Sequence, residues 1–387
     1  MVIVVESTDA GIDNLIALSR IFLSKDGNGR DVGLGHCSSA ALSDMTHIKP
    51  PIPKRKGPNP INFLILLKIR NKKPLSIYAI YKIGNGIPCY TEDMKNFADK
   101  AKATLKAIND LRPVDSNKGT FGHAYILGGS LEYSGAPYLS YSASSAYRGG
   151  IGYAHLALPR SLIHPFMLKD PQAILTPMSE HEDGFLKYNE EELSSICNKA
   201  KGIAFGMGAG VSIEVANITK YLLKHYSGVL LFDADALNSI SEYALTGLLK
   251  EHVGQLILAP HLREFSKLSG LPLEEVEAKQ KELAEEYAAK WNCILVLKSY
   301  KTYVSDGKET YEVSEGNSGL AKAGSGDLLS GLIIGLSWAY PALPLLDLAA
   351  TGSYVLGKAA ENVSKKRGGK EFATTAFDIV NAIPEVF

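Results

Sequence analysis

From about Asn117 onward, short apolar runs alternate with longer stretches of helical spacing. Ala124–Leu127, Ile151–Leu158, Gly202–Phe205, Val229–Phe232, Gln255–Leu258 and Ile294–Lys298 are brief and mostly apolar, the pattern of strands covered on both faces. The periodicity predicts helices over Tyr138–Tyr147, Ile213–His225, Ala236–Leu249, Leu273–Lys290, Gly326–Ala339 and Leu346–Val363. A hairpin is expected through Tyr303–Val313, with its turn at Asp306-Gly307. This alternation predicts an α/β fold of parallel β-α-β units, with helices on both faces of one mostly parallel sheet. Ligands of such sheets bind beyond the carboxyl ends of the strands, where the glycine clusters of this chain fall.

Residues 1–112 are less regular. Met1–Val5 and Leu75–Ile83 read as strands, Ile12–Leu23 and Asp93–Leu111 as helices. Lys49–Pro60 (KPPIPKRKGPNP) is Pro-rich and basic, which excludes a helix or an interior strand. It reads as a linker or exposed loop, with a phosphate- or RNA-binding patch as the alternative. The expected organisation is a small N-terminal α/β region, 1–112, followed by the main domain, 113–387.

Composition narrows the function. Of 387 residues, 45% are hydrophobic and 21% charged, enough to bury a sizeable core. Lys+Arg and Asp+Glu number 41 each, so a globally basic nucleic-acid binder is excluded. The four cysteines are scattered and form no C-x-x-C, as expected of reduced thiols in the cytoplasm. The apolar run Ile61–Leu67 is too short to span a membrane, and the start MVIVVESTDAG lacks a basic n-region. A cytoplasmic protein without membrane or nucleic-acid partners is expected.

The strongest chemical signal is Asn317–Gly331, NSGLAKAGSGDLLSG. Gly324-Ser325-Gly326-Asp327 precedes an apolar helical run. Glycines admit close approach of backbone amides, and a helix N-terminus adds unpaired donors and a positive dipole end. Together they suit a phosphoryl group in transfer. Asp327 could accept a proton from an attacking hydroxyl. The plain alternative is a glycine turn with Asp327 as a helix cap. A Walker loop is excluded, since the GK[ST] ending is missing. Asp233 and Asp235 end a predicted strand, and as a pair they could help hold Mg²⁺. Glu264 could hold a ligand hydroxyl or cap the following helix.

In order along the chain stand Lys118–His123, Gly128-Gly129-Ser130, Ser134-Gly135-Ala136, Ala146–Gly152, Gly206–Gly210, Asp233–Asn238, Ala259–Phe265, Leu297–Thr302 and Asn317–Gly331. This series resembles the motifs of the ADP/ATP-dependent NAD(P)H-hydrate dehydratases, which have a ribokinase-like fold and repair hydrated nicotinamide cofactors. The resemblance covers about 270 residues. It implies that Asp327, with Gly324, Ser325 and Gly326, carries the chemistry. It implies substrate contacts at Ala136, Gly208, His261, Glu264 and Asp327. Nucleotide contacts are implied at Lys298, Ser299, Tyr300, Lys301, Thr302, Asn317, Ala323 and Gly326. No protein-held metal is implied; Mg²⁺ would bridge the phosphates of ADP or ATP. The family also implies a homo-oligomer, dimer or tetramer.

Met207 stands where the family has proline, Ala259 where it has threonine, and Arg263 and Ser299 where it has glycine. These departures flank the implied site residues and bear on substrate affinity more than on phosphoryl transfer. In many relatives an epimerase domain precedes the dehydratase. Here Tyr78–Pro88 faintly resembles its end, while its G-N-N-G-G-D-G and D-x-P-S-G-x segments are missing from residues 1–112. A shortened or decayed epimerase-like remnant, or else an unrelated extension, is expected, without epimerase activity in either case. The resemblance implies that hydrated NADH or NADPH is phosphorylated at its C6 hydroxyl and then loses phosphate. The alternatives are a ribokinase-like kinase of a small alcohol and a non-catalytic nucleotide-binding relative.

Overall fold

The structure, a computed structural model, describes residues 97–111, 114–144 and 149–387, together with the backbone of four strands before them. The chain divides into two compact units, Met1–Leu111 and Arg112–Phe387.

The first unit holds β1 (Val2–Thr8), β2 (Ile21–Leu23), β3 (Leu64–Arg70) and β4 (Ser76–Lys82), in the sheet order β2-β1-β3-β4. β1 and β3 are parallel, in register from Val2 opposite Leu64 to Thr8 opposite Arg70. The other two pairs are antiparallel. A helix, Phe97–Asp110, buries Ala101, Leu105 and Ile108 at helical spacing. The helix expected over Ile12–Leu23 is corrected at its end, because Ile21–Leu23 is a strand. The remainder of that segment and Lys49–Pro60 lie outside the described residues.

The second unit is built on a nine-stranded sheet of order β13-β12-β11-β10-β9-β8-β5-β6-β7. Its strands are β5 (His123–Leu127), β6 (Tyr153–Pro159), β7 (Ile174–Met178), β8 (Gly202–Phe205), β9 (Val229–Phe232), β10 (Gln255–Leu258), β11 (Ile294–Leu297), β12 (Thr302–Ser305) and β13 (Thr310–Val313). β5 to β11 pair in parallel, and β12 and β13 add the expected hairpin antiparallel at one edge. The apolar runs of β8, β9 and β11 are buried at every position, as central parallel strands require.

Strands 5 to 7 wind outward in one direction and strands 8 to 11 in the other. The switch therefore lies between β5 and β8, where α/β sheets open a crevice. The loops after these two strands meet there, Gly129 N–H donating to the Met207 carbonyl at 2.9 Å.

Helix Ser325–Ala339 crosses β5, β8 and β9 and also packs on helices Gly135–Ser144 and Leu345–Lys366. It is buried on nearly every side from Leu328 onward, which explains its uniformly apolar sequence. A Cβ at Gly331 would collide with the Ser140 backbone carbonyl, so glycine is what lets these two helices approach. Ser140 Oγ also donates to the Asp327 carbonyl at 2.7 Å.

The structure corrects several boundaries. Leu273–Lys290 is two helices, Leu273–Ala278 and Gln280–Trp291. The helix expected from Ala236 to Leu249 ends at Glu242, followed by a positive φ at Ala244 and a 3₁₀ segment, Thr246–Glu251. Strand β3, helix Ile163–Lys169 and three further elements were not expected. β7 is a half-exposed edge strand holding Pro177. Helix Glu190–Lys199 is largely polar. Helix Leu262–Ser269 was hidden inside a motif read for chemistry.

Candidate active site

Four adjacent strands end at one rim of the sheet: β8 before Gly206, β9 before Asp233, β10 before Ala259-Pro260-His261, and β11 before Lys298. Lys298 N–H donates to the Pro260 carbonyl at 2.9 Å, and Lys298 pairs with His261 in a parallel bridge. The Lys298 side chain crosses the end of β10, and its Nζ donates to Asp233 Oδ1 at 2.6 Å. The side chains of this pair are 17% and 3% exposed. Oδ1 also accepts from the Ala234 amide at 2.8 Å, and Oδ2 accepts from Ser330 Oγ at 2.6 Å. The chain turns sharply at Ala234, whose φ is 50°. Asp235 Oδ2 then accepts from the Gly210 amide at 2.8 Å.

Gly324 opens the helix with φ 95°, and a Cβ there would meet Leu139 Cδ1 at 2.6 Å. The helix starts at Ser325, leaving first-turn amides without intrahelical acceptors at its positive end. Ser325 Oγ is buried with no hydrogen-bond partner. A Cβ on Gly326 would sit 3.4 Å from Lys298 Nζ and 3.8 Å from Asp233 Oδ2. The helix start, the ammonium and the Asp233 carboxylate thus share one small space.

Asp327, the next residue, has a carboxyl whose pKa is pushed up to about 7. Burial is the main cause, the Asp233 carboxylate adds to it, and the Lys298 ammonium opposes it. Burial also pulls the Lys298 ammonium downward, but the Asp233, Glu264 and Asp327 carboxylates hold it above its ordinary value. A carboxyl poised near neutrality at a helix N-terminus is equipped to take a proton from a hydroxyl that attacks phosphorus.

The other implied residues divide. Lys298, His261, Ser299 and Tyr300 line one cavity of about 680 Å³, with Arg263 and Gln280 also in its wall. Tyr300 is 83% exposed. Gly208 adjoins Ala136, whose Cβ is 3.3 Å from the place of a Gly208 Cβ. His261 caps the next helix: its Nδ1 accepts the Arg263 and Glu264 amides at 3.1 Å each, and its Nε2 lies 3.4 Å from Glu264 Oε1. Ala323 is exposed just before Gly324.

Glu264 turns inward. It is buried, and its Oε2 accepts the His261 amide at 2.8 Å, completing a capping box. Lys301 is paired with Glu312 at 2.6 Å on the hairpin. Thr302 opens β12 opposite Val313. Asn317 caps a 3₁₀ turn, accepting from Gly319 N–H at 3.0 Å. Three of these have internal hydrogen-bond or ionic partners, a placement that sequence spacing along single motifs does not reveal. Among the departures, Met207 and Ala259 are fully buried, Ser299 Oγ lies 2.7 Å from Gln280 Oε1, and only Arg263 is an exposed addition to the cavity wall.

The NAD(P)H-hydrate dehydratase family model matches residues 124–385. The chain belongs to this family. It is 33% identical over 261 residues to the ADP-dependent (S)-NAD(P)H-hydrate dehydratase of Neisseria meningitidis, covering 66% of this chain and 82% of that protein. It is 31% identical over 280 residues to the bifunctional NAD(P)H-hydrate repair enzyme of Moorella thermoacetica, covering 71% of this chain. The chain spans about half the length of that bifunctional relative, 51%. A crystal structure of ADP/ATP-dependent NAD(P)H-hydrate dehydratase from Bacillus subtilis, grown with ATP and Mg²⁺, superposes with a TM-score of 0.60 at 24% identity. That match covers 73% of this chain and 95% of the other, and it shows the shared ribokinase-like fold. Among the described residues, no helix is long and apolar enough to cross a membrane.

Proposed function

We propose that this chain dehydrates the S-form of hydrated NADH or NADPH at the expense of ADP. The observation that carries this reading is the Asp327 carboxyl, raised to about 7 at the mouth of a glycine-opened helix start. Asp327 accepts the proton of the C6 hydroxyl as that oxygen attacks the terminal phosphorus of the nucleotide. The bond from phosphorus to the bridging oxygen breaks and releases AMP from ADP. First-turn amides and Lys298 receive the charge on the phosphoryl oxygens. The C6–O bond of the phosphate ester then breaks with loss of the C5 proton, and the dihydropyridine ring is restored. The half-exposed His261 ring, backed by Glu264, and the Ala136–Gly208 surface hold the substrate, and Ser299 and Tyr300 hold the nucleotide.

The carboxylates present do not fit a protein-held metal. Asp233 is occupied by Lys298, Ser330 and its own turn amide, and one Asp235 oxygen by Gly210. Mg²⁺ would instead be held by the nucleotide phosphates, where it would offset their negative charge. We also read the protein as a cytoplasmic homo-oligomer, and its first unit as a shortened epimerase-like region without epimerase activity.

The test is recovery of dihydronicotinamide absorbance from purified hydrated NADH with Mg²⁺ and either ADP or ATP. Recovery with ADP is expected. A stable phosphorylated product without recovery would favour a kinase, and absence of turnover with either nucleotide would sink the proposal.

A further inference from the structure

We propose that Asp233 is a positioning residue for this reaction: clamped by Ser330, it holds the Lys298 ammonium beside the first turn of the Asp327 helix. The inference rests on the dehydratase reading for its chemistry, but its geometry stands independently.

The three partners come from separate parts of the chain. Asp233 ends β9, Lys298 ends β11, and Ser330 lies one helical turn beyond Asp327 on the same helix. Asp233 has one oxygen on Nζ and the other on the Ser330 hydroxyl, each at 2.6 Å. The carboxylate therefore ties the strand carrying the cation to the helix carrying the base. A free lysine has four rotatable bonds and pays side-chain entropy to stay in one place. Here an almost fully buried carboxylate fixes its end 3.4 Å from where a Gly326 Cβ would lie. Glycine at 326 leaves that contact open, and a larger residue would crowd the ammonium.

Such a clamp gives Lys298 two duties. It delivers a fixed positive charge to the phosphoryl group in transfer. It also sets the field at Asp327, together with the other charges that face that carboxyl: Asp233 and Asp235 after β9, and Glu264 on the helix after β10. Asp233 raises the proton affinity of Asp327, and Lys298 lowers it. Removing the Asp233 charge lowers the proton affinity of Asp327 and displacing Lys298 raises it; the Asp233 effect is the larger, so the net shift is downward.

The experiment compares wild type, Asp233→Asn and Ser330→Ala. The pH profile of kcat/KM with hydrated NADH and Mg-ADP is one readout. The other is NMR titration of the Asp327 carboxyl in the protein without nucleotide or substrate. For Asp233→Asn, kcat is expected to fall ~10-fold or more through misplacement of the ammonium. The acid limb and the Asp327 titration should both move to lower pH. Ser330→Ala keeps the Asp233 charge and only loosens the clamp, so kcat should fall by less and the Asp327 titration should not move downward. A fall in activity or thermal midpoint of Asp233→Asn with an unmoved limb and titration would mean that Asp233 is structural only, and would overturn the proposal. Unchanged kcat/KM in Asp233→Asn would overturn it as well. Should wild type fail to restore dihydronicotinamide, the functional reading fails, while the NMR titration still decides whether Asp233 governs Asp327.

Discussion

Replacing Asp327 with asparagine sets catalysis against stability. The base is lost, so turnover should fall about 10²- to 10⁴-fold. The fold should gain. Asp327 is pushed up to about 7 in the folded chain against an ordinary value of 3.8. The folded state therefore keeps a proton that the unfolded state releases between those values. Wild-type stability must decline as pH rises through that window and level off above about 7. At about 1.36 kcal/mol per unit, the shift corresponds to at most roughly 4 kcal/mol at pH values above both. Asparagine removes this penalty but leaves a buried amide whose desolvation costs ~1–3 kcal/mol if unpaired. A net gain of roughly 1–3 kcal/mol is expected near pH 8. The decisive quantity is the difference between variant and wild type as pH changes. Between about pH 8 and pH 5.5 it should shrink by about 2 kcal/mol, because wild-type Asp327 regains its proton over that interval. The opposite effect of His155, held neutral down to about 4 chiefly by burial, is common to both proteins and cancels. Urea unfolding of both proteins at the two pH values supplies the measurement. A difference that is constant with pH would refute the view that burial beside Asp233 tunes this carboxyl.

Two further substitutions probe the scaffold. Gly331→Ala drives a methyl into the Ser140 carbonyl and should destabilise by about 1–3 kcal/mol, with loss of activity as the Asp327 helix is pushed from the sheet; thermal unfolding and the absorbance assay report both effects. Ala234→Gly relieves a non-glycine residue held at φ 50° and should stabilise by up to about 1 kcal/mol; an unchanged or lower unfolding midpoint would show that the turn carries no strain.

The sequence made the main sheet readable because its central strands are buried on both faces and so appear as unbroken apolar runs, such as VLLF and ILVL. The elements that escaped prediction sit where burial is partial. β7 is an edge strand whose pattern resembles neither alternation nor a run. Helix Glu190–Lys199 is recognised by its cap, Asn189, whose Oδ1 accepts the Glu191 and Glu192 amides, rather than by an apolar stripe. The same division runs through the site. Gly324–Asp327 announced itself because its chemistry is local: a positive-φ glycine, a helix start and an acid lie within four residues. The Asp233–Lys298–Ser330 clamp did not, because each partner has an ordinary local explanation and its meaning depends on strand order. Only once β10 is known to lie between β9 and β11 does a lysine at the end of one become able to reach an aspartate at the end of the other. The Ser330 hydroxyl then settles the direction of the argument. A carboxylate fixed on both oxygens, by a cation and by the helix that carries the base, is better placed to aim the cation than to bind a metal.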